Sequence, residues 1–116
     1  MSPEDRMRRI DTLLGHVWMV RTFLKHSEEA EDDQELRAVH RDLYDYMLSL
    51  GESWHAGDST AYLKQARKKL SRLQRATNRF VEIQPEVSTH TNFKMAVQSL
   101  TAAVDEIAEL LAADDT

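Results

Sequence analysis

Residues 10–24 read IDTLLGHVWMVRTFL, and this stretch decides the fold. Ile10, Leu13, Val17, Val20 and Leu24 recur at alternating steps of three and four. In a helix that spacing lines the five side chains along one side, whereas a strand would alternate in twos. Met7 extends the stripe backward and Leu14 widens it. An apolar stripe of this length has to be covered, and three later stretches carry partners for it. Leu36, Val39, Leu43, Met47 and Leu50 form one, with Tyr46 beside them. Leu63, Ala66, Leu70, Leu73, Thr77 and Phe80 form the second, and Phe93, Val97, Leu100, Val104, Ile107 and Leu111 the third.

End signals divide the chain between the stripes. Ser2 suits an N-cap, Pro3 the first helical position, and Asp5 completes a capping box, so a first helix is expected from Pro3 to His26. Residues 27–33 form an acidic connection, expected to be a solvated turn because its carboxylates repel one another. Asp33, or Asp32 with Glu35, can cap a second helix from Gln34 to Leu50, with Gly51 ending it in the left-handed position. Trp54 is then expected in an irregular segment, folded back over one end. Asp58 or Ser59 starts a third helix, which Pro85 stops after Glu82. A fourth runs from Ser88 or Thr89 to Ala113. Four amphipathic helices with short connections imply one all-α domain over residues 1–116, an antiparallel up-down-up-down four-helix bundle.

Composition narrows the classes of function. The 116 residues carry 41% hydrophobic and 30% charged side chains, which fits one globular unit. No cysteine is present, so thiol chemistry, disulfides and thiolate metal sites are excluded. No apolar run approaches the ~18 residues of a membrane span. Asp11, Gly15, His16 and Arg21 interrupt the N-terminal apolar run, which argues against a signal peptide, and the absence of cysteine fits the cytoplasm. A formal charge of −5 disfavours generic nucleic-acid binding. Phosphate loops, nucleophile elbows and His-Glu-x-x-His are all missing.

Five groups of residues could still do something. Glu52 and His55 have the Glu-x-x-His spacing of di-metal bundles, but a second copy is missing and the other stripes carry no glutamate. Arg21 and His40 fall within or beside apolar stripes, and Gln74 can reach their level. They are expected to form a polar layer that fixes register, or a small anion or ligand pocket. Met19, Phe23, His16 and Trp18 make the first helix apolar over more than the single face a bundle requires, and with Trp54 they are the expected interface. Lys64, Lys68, Arg72, Arg75 and Arg79 make one basic face on the third helix, suited to an anionic partner. Aromatic residues do not interleave with it, as a nucleic-acid platform would need. The leading expectation is a non-enzymatic protein without cofactor, acting through protein–protein contact as a homodimer or adaptor. The alternatives are a bundle binding metal or a small ligand through His40, Arg21, Glu52 and His55, and a nucleic-acid accessory protein using the basic face.

Overall fold

Helix α1, Pro3–Lys25, begins where the capping box forms. The Ser2 Oγ accepts from the Asp5 amide at 3.1 Å, and the Ser2 amide donates back to the Asp5 carboxylate at 3.3 Å. These bonds hold the Asp5 carboxyl below its ordinary range. The computed structural model describes residues 1–113; residues 114–116 of the expected domain lie outside it. Met7, Ile10, Leu13, Leu14, Val17, Val20 and Leu24 are all buried, as the stripe requires.

The acidic connection is not a plain solvated turn. Glu29–Asp32 form a single helical turn, α2, with Ala30 buried. The Arg37 Nη1 donates to the carbonyls of Ala30 and Glu31 at 3.0 and 2.7 Å. A guanidinium on the carbonyl end of so acidic a turn offsets the repulsion that would otherwise open it.

Helix α3 spans Gln34–His55, capped by the Asp33 carboxylate accepting from the Leu36 amide at 3.1 Å. Gly51 does not end it. A helical glycine costs only about 1 kcal/mol relative to alanine. Burial of Leu50, and packing of Trp54 against Tyr62 with ring centroids 6.2 Å apart, favour the extra turn. The left-handed residue is Gly57, at φ 67°. Trp54 therefore lies on a helix rather than in an irregular segment, and α3, with 22 residues, nearly matches the 23 of α1.

Helix α4, Ser59–Val87, starts at Asp58, whose carboxylate accepts from the Ala61 amide at 3.0 Å. It passes through Pro85 instead of stopping before it. Proline removes one helical hydrogen bond, and the acceptor it abandons belongs to Val81, on the exposed side. The following turn closes through the Ser88 amide to the Gln84 carbonyl at 3.0 Å and the Gln84 Nε2 to the Ser88 carbonyl at 2.7 Å. Helix α5, Thr91–Ala112, is capped by neither Ser88 nor Thr89 but by His90, whose Nδ1 accepts from the Asn92 amide at 3.0 Å.

The described residues are thus all-helical in their regular structure, within extents of 45 × 22 × 19 Å. Helix α1 packs against α3 and α5, and α4 packs against the same two; direct contact between α1 and α4 is slighter. Buried apolar residues from all five helices join in one cluster. Its largest members include Tyr46, Tyr62, Phe80, Leu43 and Leu100, each under 2% exposed. The Tyr46 hydroxyl donates to the Ala66 carbonyl at 3.1 Å, and desolvation pushes its pKa up.

Candidate functional site

The outer surface of α1 divides into two areas. On its α5 side, Met19, Val20 and Phe23 face Asn92, Met95 and Ala96 across a shallow groove of about 310 Å³. Phe23 closes the floor by an edge contact with Phe93, centroids 5.0 Å apart at 63°. Small side chains at Ala96, Ser99 and Ala103 leave the groove open between the longer residues of α5 that flank it. Met19 is 68% exposed and Met95 54%, so two flexible apolar side chains stand over the opening. A second depression of about 430 Å³ continues it toward Arg9 and Glu106, sharing Met95 and Ser99. There the His16 Nδ1 meets the Ser99 Oγ at 3.2 Å, and Arg9 holds Glu106 through two bonds of 2.6 and 3.0 Å. That pairing lowers the Glu106 pKa and raises that of Arg9.

On the α3 side of α1, Trp18, Arg21 and Tyr44 come together, and the Arg21 charge acts on His40. The Arg21 guanidinium carbon lies 4.9 Å from the Trp18 ring centroid and 4.6 Å from that of Tyr44. The two rings are 6.4 Å apart and tilted by 45°. Partial burial lowers the His40 pKa, followed by the charges of Arg21, Arg41, Lys25 and Arg37. Gln74 does not belong to this layer. It is exposed on α4 and faces α5, beside Asn78, Thr101 and Asp105.

His40 gives a pH signature with a definite sign. Its folded pKa is below the usual 6.5, so as pH falls through 6.5 the unfolded chain takes up its proton first. Stability should therefore decline on acidification from the usual 6.5 downward, until the folded-state pKa is passed. Thermal melts of wild type and His40→Gln check this: the variant should decline less, and equal declines would assign the effect to other groups.

The remaining expected residues separate. Trp54 lies at the end of α3, over Tyr62, remote from Met19 in the chain and absent from the α1–α5 groove. Glu52 and His55 share the last turns of α3 and are both exposed. Among the described residues no group of three or more His, Asp or Glu could hold a metal ion. On α4, Arg79 is engaged with Glu35 of α3 and with Glu82, whereas Lys64, Lys68, Arg72 and Arg75 are exposed.

Two arginines, Arg6 and Arg67, which flanks the basic face of the third helix in sequence, tie the end of α5 to its neighbours. Arg6 is 2% exposed, and its Nη1 donates to the carbonyls of Leu110 at 3.4 Å and Ala113 at 3.1 Å. The Arg67 Nε donates to the Leu111 carbonyl at 2.9 Å. Together they satisfy carbonyls at the end of α5. The signal for Arg6 was its place four residues before Ile10, on the stripe itself.

No family model matches the chain, and neither a curated protein nor a solved structure matches it. No helix among the described residues is long and apolar enough to cross a membrane.

Proposed function

We propose that the protein is a non-enzymatic interaction module, a single antiparallel up-down-up-down bundle of α1, α3, α4 and α5 that pairs with a second copy of itself through the α1–α5 face. Ties between helix ends support the antiparallel order. Arg6 near the start of α1 reaches the end of α5, Arg67 near the start of α4 reaches the same end, and Glu35 at the start of α3 pairs with Arg79 late in α4. These three ties fit neighbours that run in opposite directions.

The observation that carries the interaction reading is the open groove with Met19 and Met95 standing over it. Methionine pairs on an exposed apolar strip are adaptable contact residues, and monomers seldom leave such strips uncovered. A self-complementary contact suits this face because it is apolar along its middle and carries its own matched Arg9–Glu106 pair at one end, leaving no net charge there to be neutralised. The long face of the molecule, 45 by 22 Å, can accommodate the ~800 Å² per partner of a standard interface. Sedimentation velocity over a concentration series is the test. A dimer that dissociates on dilution is expected, and a single monomeric species at all concentrations overturns the reading.

A further inference from the structure

We propose that the face shared by α1 and α3, separate from the self-association groove, binds single-stranded nucleic acid, with Trp18 as a stacking platform and Arg21, Lys25 and Arg41 contacting phosphates. The basic face on α4 lacks aromatic residues; the fold assembles aromatic and basic residues together on a different surface, from two helices. The Trp18 indole is 46% exposed, and Tyr44 stands beside it. Arg21 is held between these rings, and its Nε is buried without a hydrogen-bond partner. A guanidinium positioned by π-faces keeps its charge available and is already ordered before a ligand arrives.

The cations of this face are not tied up in ion pairs. Among the described residues Arg21, Lys25 and Arg41 form no ion pair. Arg21, Arg41, Lys25 and Arg37 all lie close enough to His40 for their charges to act on its imidazole. The overall charge of −5 therefore does not describe this surface. Trp18 and Lys25 lie two helical turns apart, about 10 Å along α1, so cations extend away from the ring as a strand's phosphates would. Stacking bases and neutralising phosphates are the two operations of a single-strand site. An acidic peptide would use the charges but not the exposed part of Trp18.

The test is fluorescence anisotropy of a labelled oligothymidylate at about 50 mM salt. Saturable binding is expected, with a slope of log affinity against log salt near −2, from three phosphate contacts at about 0.7 each. Trp18→Leu should weaken binding about fivefold or more with the slope unchanged. Arg21→Gln should weaken it about tenfold and reduce the slope by about 0.7. Circular dichroism melts establish that each variant is folded; if Arg21→Gln is not, the exposed Arg41→Gln carries the same slope test. Four results overturn the proposal: no binding, wild-type affinity in Trp18→Leu, a duplex of equal length binding as tightly, or displacement by an equal charge of polyglutamate. The groove on the α5 side is untouched by these substitutions, so dimerisation should persist in all of them.

Discussion

The Phe80→Ala variant should lose about 3–5 kcal/mol of stability, the cost of emptying a fully buried aromatic site. Phe80 has no exposed surface and lies on the apolar stripe of α4, within the common cluster. Domains of this size are stable by only about 5–15 kcal/mol, so the loss is a large fraction of the whole. Its neighbour Val81 is 42% exposed, one step off the stripe, and Val81→Ala should change stability by less than about 0.5 kcal/mol. Urea titrations compare the two. The midpoint should fall sharply for Phe80→Ala, with little change in slope, because slope follows the surface exposed on unfolding. A Phe80→Ala cost under about 1 kcal/mol would place that side chain outside the core.

That contrast between adjacent residues is what the periodicity encodes, and it explains which features were legible. Stripe positions such as Ile10, Leu36, Leu63 and Leu100 are all buried, since a helix in a small domain has no other way to cover them. Caps at Ser2 and Asp33 were equally readable because they depend on a few adjacent residues. Gly51 and Pro85 were misleading for one shared reason. Both weaken a helix locally by a bounded amount, and packing of Leu50 and Trp54 in one case, and closure of the next turn through Gln84 in the other, outweighs it. The site residues depend on which helix lies beside which, and periodicity does not contain that information. Trp18 and Tyr44 enclose Arg21, whose charge acts on His40, and Gln74 lies elsewhere, facing α5. The expected interface likewise divides, with Met19, Phe23 and His16 toward α5, Trp18 toward α3 and Trp54 at the end of α3.

Replacing Met19 and Met95 together by lysine should raise the dimer dissociation constant at least about a hundredfold, a loss of roughly 2.8 kcal/mol. In a two-fold contact each substitution enters twice, so every new ammonium group meets apolar surface and a like charge from the other copy. Met19 and Met95 already stand largely in solvent, so the subunit itself should keep its urea midpoint to within about 0.5 kcal/mol. This separation gives the variant its value: a lost dimer with an intact fold cannot be attributed to unfolding. Leu48→Lys is the matched control. Leu48 is also an exposed apolar residue, at 64%, but it lies on α3, away from the groove, and should leave self-association unchanged. Sedimentation of the three proteins at one concentration distinguishes the outcomes. If the double variant sediments with wild type while Leu48→Lys dissociates, the contact lies on α3, and the α1–α5 face is not where the copies meet.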